Sequence, residues 1–410
     1  MNLSEDLQAR GLAEHHSAPL EKIFGTRRTV YLGVDPSADS MQAGNLAVVL
    51  LLRRLAEAGH SIVLLVGGGT GMIGDPRESG ERPLADDRIV KKNAKALQTQ
   101  MQAIIGTRVK LVNNADWLLK VKLVDFLRDI GKHFTINELT KREIIKRRLD
   151  DPNDSISYTE FAYSLLQGYD YLHLNQTLGV DLQIGGTDQW TNILSGVELI
   201  RRKLGKEAYA LTLPIITDAS GKKFGKSEGN AVWLDAKKTS PFQFYQFWLS
   251  SDDASVGNYL KVYTFLSLIE IDALIEMHKR SPERRSAQRK LALEVTKLVH
   301  GEKEAQRAER FTDVLFGTTS YASLSASERD SLFASVPSAT ISLGDTVVVT
   351  LTESGFITSK SEAKRLIDSK GIKLNGETLL TDRELGEVDF TDGLAIVQKG
   401  KSDKLLIRFK

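Results

Sequence analysis

The sequence predicts an α/β protein in which a domain built on a parallel β-sheet is followed by a helical domain and a small α+β domain. Between residues 28 and 230, strand-like apolar runs alternate with helical stretches, the pattern of a parallel sheet covered by helices. After residue 230 the strand signal stops, and it returns only near the end of the chain. These observations predict four segments: 1–230, 231–316, a Ser-, Thr- and Ala-rich linker at 317–345, and 346–410.

The first elements of the sheet domain are predicted to form a βαβ unit. Residues 29–34 and 61–66 have the composition of buried strands, and residues 44–59 between them have helical spacing. Parallel sheets bind their ligands at the carboxyl ends of the strands. We therefore expect the turns that follow these two strands, at 33–35 and 67–71, to border a ligand site.

The later elements are predicted from the spacing of apolar residues. Residues 241–247, 260–278 and 286–316 have helical spacing and predict the helical domain. In the final segment we expect a helix at 359–369, a turn at Asn375 and Gly376, and strands near 394–398 and 404–409.

Composition excludes several classes of protein. The 410 residues include no cysteine, which excludes a thiol nucleophile, a cysteine-ligated metal site and a disulfide scaffold, and fits a reducing cytosol. The 55 Lys and Arg residues nearly balance the 53 Asp and Glu residues, so a polyanionic partner would have to meet a local basic patch. The apolar runs are far shorter than the ~20 residues of a membrane span, and the N-terminus lacks the apolar region of a secretion signal. We therefore expect a cytoplasmic protein with no membrane partner.

Two sequence motifs point to nucleotide chemistry. The lysine- and glycine-rich stretch KKFGKSEGN at 222–230 is suited to closing over a polyphosphate and dispersing its charge. The stretch DPSADSMQAGN at 35–45 joins the first strand to its helix, where small residues let backbone N–H groups approach a phosphate. It lacks the GxxxxGK[ST] pattern of P-loop NTPases. Together the two stretches resemble the KMSKS and HIGH signatures of class I aminoacyl-tRNA synthetases.

Two further stretches indicate which class I synthetases the sequence resembles. In YSLLQGYDY at 163–171, three polar residues share one face of a helix, where a core helix would be apolar. LQIGGTDQW at 182–190 is typical of a strand that ends in two glycines and an acid suited to ribose hydroxyls. With YLGVDP at 31–36 and GGGTGMIGDP at 67–76, these stretches resemble the bacterial-type tyrosyl-tRNA synthetases along nearly the entire chain. The resemblance implies a Rossmann-like catalytic domain.

The resemblance also implies roles for individual residues. The residues implied to bind tyrosine are Tyr31 and Asp170 on the phenol, Asp75, Tyr163 and Gln167 on the ammonium group, and Gln189 near the carboxylate. The residues implied to bind ATP are Asp35, Gly44, Gly186, Asp188 and Lys226. The catalytic set is Ser37, Gln42, Asn45, Lys223 and Lys226. A site with two hydrogen-bond partners for one hydroxyl disfavours phenylalanine, because those partners are then left unpaired.

This chain departs from the family pattern at three positions. Gln42 and Asn45 stand where the HIGH signature has its two histidines, and Leu32 stands where many relatives place a polar ribose contact. A glutamine still donates a hydrogen bond to a phosphate oxygen but carries no positive charge, a loss of roughly tenfold in rate. We therefore expect Gln42→His to accelerate adenylate formation.

The resemblance implies substrates and partners as well. These are L-tyrosine, ATP with Mg²⁺ and tRNA(Tyr), with no organic cofactor; the histidines lack metal-ligand spacing, so we expect no protein-bound metal site. Residues 359–377 resemble a small RNA-binding module shared with a ribosomal small-subunit protein, here termed S-four-like. Residues 131–137 resemble the family's dimer interface, which implies a homodimer. The implied RNA contacts are Lys360, Lys364, Arg365 and Lys373.

Two alternative functions stay open at this point. A related enzyme for tryptophan is disfavoured, because an apolar ring has no use for Tyr31 and Asp170 together. The other alternative is a non-catalytic RNA-binding protein descended from a synthetase, and Gln42 in place of the first HIGH histidine favours it. The intact Lys223 and Asp188, together with Lys226 and Gln189, argue against such decay.

Overall fold

The computed structural model describes residues 1–76, 86–106, 109–217, 231–316, 319–342, 344–400 and 403–409. The chain divides into two units, Met1–Thr239 with Ser251–Leu291, and Ser240–Ser250 with Ala292–Lys410. The segment boundaries expected at residues 230, 316 and 345 stay a prediction.

The described residues up to 217 alternate strands with helices. The strands are β1 (His15–His16), β2 (Thr29–Val34), β3 (Ser61–Val66), β4 (Val109–Asn113), β5 (Leu182–Gly186) and β6 (Tyr209–Leu213). The helices are α1 (Leu3–Ala9), α2 (Leu20–Phe24), α3 (Leu46–Glu57), α4 (Asp87–Ile105), α5 (Ala115–Leu118), α6 (Leu123–Asp129), α7 (Ile136–Leu139), α8 (Glu143–Asp150), α9 (Tyr158–Leu178) and α10 (Trp190–Leu204). The predicted βαβ unit is confirmed as β2–α3–β3.

The six strands form one sheet in the order β1-β6-β5-β2-β3-β4. Strands β2 to β6 run parallel, and the short β1 pairs antiparallel with β6. From β2 the chain adds β3 and β4 on one side, and then returns to place β5 on the other side. The strand order therefore switches between β2 and β5, where parallel sheets of this kind hold their ligands.

Helix α9 is shaped by its ends and by a polar face. Ser157 and Glu160 form a capping box at its start, and Gly179, in the left-handed conformation at φ 66°, ends it. Its buried residues include the polar Asp170 as well as the apolar Leu172 and Leu174. The helix thus packs on the sheet and presents polar groups from the same buried side.

Residues 240–316 are helical, as predicted, but the two longer predicted stretches, 260–278 and 286–316, are each interrupted. They are α11 (Pro241–Leu249), α12 (Val256–Tyr263), α13 (Leu268–Arg280), α14 (Ser286–His300) and α15 (Glu302–Leu315). The stretch 260–278 is interrupted because Ser267 and Glu270 form a capping box that starts a new helix. The stretch 286–316 is interrupted at Gly301, whose φ of +88° ends α14. No helix in the described ranges is long and apolar enough to cross a membrane.

The last segment has its own five-stranded sheet, with strand order β7-β11-β10-β8-β9. Its elements are α16 (Ala326–Ser335), β7 (Ser338–Ile341), α17 (Val347–Glu353), α18 (Lys360–Asp368), β8 (Ile372–Leu374), β9 (Glu377–Thr378), β10 (Ala395–Lys399) and β11 (Asp403–Phe409). Its core joins both helix and strand residues, among them Leu351, Ile367, Val397 and Leu405. The expected helix, turn and strands of the tail are confirmed; β7, inside the predicted linker, was not expected.

Candidate active site

A cavity of about 320 Å³ opens at the carboxyl ends of β2 and β5, where the strand order switches. Its walls come from the turns after β2 and β3, from α9, and from the end of β5 with the turn that follows. The sequence-predicted site residues that line it are Tyr31, Asp35, Ser37, Gly44, Asn45, Asp75, Tyr163, Gln167, Asp170, Gly186, Asp188 and Gln189. Residues from four distant stretches of sequence are thus brought to one site.

The remaining predicted residues are not among the described residues that line this cavity. Gln42 is half-buried and is not among the residues that the structure places on the cavity wall; its backbone forms a β-bridge with Trp233. Lys223 and Lys226 lie outside the described residues. The predicted RNA contacts are all exposed on α18 and β8, in the unit that does not hold the cavity: Lys360, Lys364, Arg365 and Lys373.

One end of the cavity holds a phenol and a buried carboxylate. Tyr31 is 1% exposed, and its hydroxyl makes no hydrogen bond of ordinary geometry to a described residue. The Oδ1 atom of Asp170 accepts a hydrogen bond from Trp117 Nε1 at 2.7 Å, and its Oδ2 atom accepts one from Asn114 Nδ2 at 2.8 Å. Burial raises the pKa of Asp170 to about 7, although both hydrogen bonds oppose the rise. This end offers polar groups that a ligand hydroxyl would satisfy.

Asp75, a second carboxylate that lines the cavity, has a hydrogen-bond network of its own. Asp75 accepts hydrogen bonds from Gln189 Nε2 at 2.7 Å and from Asn192 Nδ2 at 3.1 Å. Burial raises the pKa of Asp75 to about 6; these hydrogen bonds oppose the rise, and the negative charges of Asp35 and Asp188 add to it. The carboxylate is therefore costly to keep charged unless a cation approaches it.

A chain of hydrogen bonds links Asp170 to Asp35 and Tyr163. Asn114 Nδ2, which contacts Asp170, also donates to Thr70 Oγ1 at 2.9 Å. Thr70 Oγ1 donates to Asp35 Oδ1 at 2.8 Å, and the Tyr163 hydroxyl donates to Asp35 Oδ2 at 2.8 Å. The side chains of Asp170, Asp35 and Tyr163 are therefore held in place before any ligand binds.

Glycine is required where β3 turns toward this chain of hydrogen bonds. A Cβ atom on Gly67 would lie 2.1 Å from Asp35 Oδ1 and 2.3 Å from Thr70 Oγ1, far inside van der Waals contact. A Cβ atom on Gly186 would lie 2.7 Å from Asp188 Oδ1. The backbone approaches these carboxylates so closely that only glycine fits without displacing them.

The charges around Asp75 and Asp170 favour a cationic ligand group. The hydrogen bonds that Asp75 and Asp170 accept come from neutral amide and indole groups. Asp35 raises the pKa of both, since its negative charge disfavours theirs. An ammonium group placed among them would offset this repulsion. Within the described ranges, no cluster of three or more His, Asp or Glu residues is arranged to hold a metal ion.

Four site residues were missed from the sequence: Thr70, Asn114, Trp117 and Asn192. Asn114 and Trp117 follow β4 at its carboxyl end, the same edge at which the other turns meet. That position, in the stretch NNADW after an apolar strand, is the signal that would have predicted them. Nothing in the sequence singles out Asn192 within α10.

Comparison with known proteins identifies the family. The family of tRNA synthetases class I (W and Y) matches residues 25–317. The match spans more than half of the chain, so the chain belongs to this family.

Individual relatives show which synthetases of this family the chain resembles. The tyrosine–tRNA ligase of Roseiflexus castenholzii is 44% identical over 98% of both chains, and tyrosine–tRNA ligase 1 of Pseudoalteromonas translucida is 42% identical over 99% of both. A solved structure, the C-terminally truncated mitochondrial tyrosyl-tRNA synthetase of Aspergillus nidulans, is 31% identical, with a TM-score of 0.69, covering 76% of this chain and 94% of that one. The predicted resemblance to bacterial-type tyrosyl-tRNA synthetases is therefore confirmed.

Proposed function

We propose that the chain is a tyrosine–tRNA ligase that activates L-tyrosine with ATP and transfers it to the 3′ end of tRNA(Tyr) in the cytoplasm. In the first step the tyrosine carboxylate attacks the α-phosphorus of ATP, and pyrophosphate leaves. In the second step a ribose hydroxyl of the tRNA captures the adenylate. The observation that carries the proposal is the unsatisfied Tyr31 hydroxyl beside the buried Asp170 at one end of the cavity.

The phenol end sets the choice of amino acid. A substrate hydroxyl would donate to the Asp170 carboxylate and accept from Tyr31, whose hydroxyl makes no bond of ordinary geometry among the described residues. Phenylalanine would leave the Tyr31 hydroxyl buried and unpaired, which costs about 1–3 kcal/mol, and would give the Asp170 carboxylate no donor beyond Trp117 and Asn114. Tryptophan has no hydroxyl to satisfy them. The site therefore favours tyrosine over both competitors.

Asp75 and its neighbours are placed for the ammonium group. Asp75 would hold it as an ion pair, with Tyr163 and Gln167 completing its hydrogen bonds; the Oε1 atom of Gln167 is buried without a described partner. Gln189, which donates to Asp75, would then lie near the reacting carboxylate. The substrate would thus be held at both ends, with the carboxylate toward the nucleotide.

The nucleotide would occupy the open part of the cavity. Gly186 and Asp188 lie where a strand end meets a turn, a position suited to a ribose, and Gly44 and Asn45 begin the turn into α3. Ser37, Lys223 and Lys226 are proposed for the phosphates by family resemblance. Mg²⁺ would arrive on ATP as part of the substrate and disperse charge on the leaving pyrophosphate. Catalysis requires positioning and charge dispersal, and no nucleophile on the protein.

The last segment is proposed to hold the tRNA. The exposed basic residues on α18 and β8 would contact the RNA backbone and shape, with little reading of bases. Replacing the set Lys360, Lys364 and Arg365 by glutamate should raise the KM for tRNA at least ~tenfold and leave tyrosine-dependent pyrophosphate exchange within ~twofold. Equal loss in both assays would contradict a tRNA-binding role.

A second copy of the chain is proposed to cover a group of exposed apolar side chains between residues 119 and 136. Four large apolar side chains there are strongly exposed: Leu119 (67%), Leu123 (71%), Val124 (73%) and Ile136 (60%). They lie close in sequence to 131–137, the stretch that resembles the family's dimer interface. Leu123→Glu with Val124→Glu should shift the protein from dimer to monomer in sedimentation velocity. A wild-type monomer at micromolar concentration would contradict the proposal.

Amino-acid-dependent ATP–pyrophosphate exchange tests the activity. We expect exchange with tyrosine, and much weaker exchange with phenylalanine and tryptophan under the same conditions. A tryptophan preference would favour the related enzyme, and no exchange with any amino acid would favour a non-catalytic RNA-binding protein. Asp170→Ala should reduce exchange with tyrosine far more than the residual exchange with phenylalanine.

A further inference from the structure

An arginine outside the cavity of the proposed tyrosine site is hydrogen-bonded to the network behind it. Arg142 directly precedes α8 and is half-buried. Its Nη1 atom donates to Asn192 Oδ1 at 2.9 Å, and its Nη2 atom donates to Ser195 Oγ. Asn192 and Ser195 are one turn apart on α10, so the planar guanidinium spans both.

Asn192 links Arg142 to the Asp75 carboxylate. Its Nδ2 atom donates to Asp75 Oδ1 at 3.1 Å and to Gln189 Oε1 at 3.3 Å. Gln189 Nε2 in turn donates to Asp75 Oδ2 at 2.7 Å. Both oxygens of Asp75 are therefore held by amide donors, and one of these amides is held by Arg142.

The direction of these bonds follows from the chemistry of arginine. A guanidinium has five N–H donors and no acceptor, so only the carbonyl oxygen of Asn192 can face Arg142. The amide nitrogen of Asn192 must then face the other way, toward Asp75. Without the arginine, the side chain of Asn192, which is 9% exposed, would lose the bond that fixes its rotation.

We propose that Arg142 is a positioning residue for the ammonium group of tyrosine, acting through Asn192 to hold the Asp75 carboxylate in its binding orientation. The proposal rests on the role of Asp75 proposed above. The charges around Asp75 support the proposal. Asp35, Asp188 and Tyr163 also interact electrostatically with Asp75, and none of these three carries a positive charge. Burial lowers the pKa of Arg142 to about 10, which leaves it charged at neutral pH, and the charge of Asp75 opposes that fall.

Ligands that differ only at the ammonium group test the proposal. L-Tyrosine and tyramine carry the ammonium, whereas 3-(4-hydroxyphenyl)propionate lacks it but keeps the phenol. We expect Arg142→Met to weaken the binding of tyrosine and tyramine about tenfold, measured by calorimetry or by inhibition of exchange. Binding of the propionate should stay within about twofold. Arg142→Lys, which keeps the charge but not the fork, should give an intermediate loss.

Two further variants make the result decisive. Arg147→Met removes a positive charge from α8, the helix that Arg142 precedes, at an exposed residue that lines the neighbouring cavity, and should leave all three affinities unchanged. Asp75→Asn should selectively weaken the two ammonium ligands, and Arg142→Met should add less than about twofold to it.

The outcomes separate the two hypotheses. Equal weakening of all three ligands by Arg142→Met would mean that the arginine only ties α8 to α10. No weakening of any ligand would mean that the contact has no effect on binding. Either result overturns the inference while the role of Asp75 stands. If Asp75→Asn fails to discriminate between the ligands, the proposed role of Asp75 fails and the inference fails with it.

Discussion

Replacing Trp117 by phenylalanine should reduce the discrimination between tyrosine and phenylalanine without damaging the site. Trp117 donates its indole N–H to Asp170 at 2.7 Å and stacks on His173 with ring centroids 4.4 Å apart. Phenylalanine keeps an aromatic ring for the stack but removes the N–H donor, along with the second ring of the indole. The substitution therefore destabilises the charged form of Asp170.

The magnitude follows from the strength of that bond. A hydrogen bond to a charged group contributes about 1.5–3 kcal/mol, and each pKa unit corresponds to about 1.4 kcal/mol. Starting from a pKa of about 7, Asp170 in the variant should titrate about one to two units higher. At pH 7.5 its ionised share would then fall from about three quarters to between about one quarter and about one thirtieth, and kcat/KM for tyrosine would fall ~3- to 25-fold.

Pyrophosphate exchange with both amino acids is the assay. Because phenylalanine makes no bond to Asp170, its kcat/KM should change less than about threefold, so the ratio of the two constants should shrink. The loss for tyrosine should partly recover near pH 9, where the carboxylate ionises again. An unchanged ratio, or equal losses for the two substrates, would refute the assignment of Asp170 to the phenol.

Three other predictions follow from the same site. Tyrosine KM should fall as pH rises through about 6 to 7, since Asp75 and Asp170 bind tyrosine in their charged forms; a flat KM profile between pH 5.5 and 8 would contradict this. Gly67→Ala should lower kcat/KM at least ~100-fold because its Cβ displaces Asp35, whereas Gly257→Ala, whose Cβ meets only Ile275 at 3.5 Å, should be neutral in the same assay. Gln42→His should raise the rate of adenylate formation up to roughly tenfold in stopped-flow measurements, and no gain would mean that residue 42 does not contact the phosphates.

Elements with a continuous local signal could be predicted from the sequence. Strand β3 is apolar throughout and is followed by glycines, so its limits at Ser61 and Val66 match the prediction. By contrast, β7 was missed because Ser338–Ile341 is short and largely not buried, and it is a strand only by pairing with β11. That pairing joins residues about 68 positions apart, as in Ser338 with Leu406, and no local pattern reports it.

The same distinction applies to the site. The polar face of α9 was visible from spacing alone, because a polar residue on the buried side of a helix needs a reason. The roles of Asn114 and Asn192 were not visible, because an amide becomes a bridge only when tertiary packing sets its orientation. The sequence therefore predicted the groups that meet the ligand better than the groups that hold them.

Without a ligand, keeping Asp75 and Asp170 charged costs free energy, and tyrosine binding lowers that cost. The pKa values of Asp75 and Asp170 are raised in the folded protein, so between pH 4 and 7 the folded state binds more protons than the unfolded state. Their contribution to stability therefore declines as pH rises through this window, and the charged pair is most costly near neutral pH. An ammonium group beside Asp75 and a phenol donating to Asp170 would each favour the charged form. Part of the free energy of tyrosine binding thus comes from relieving a cost that the empty fold already carries.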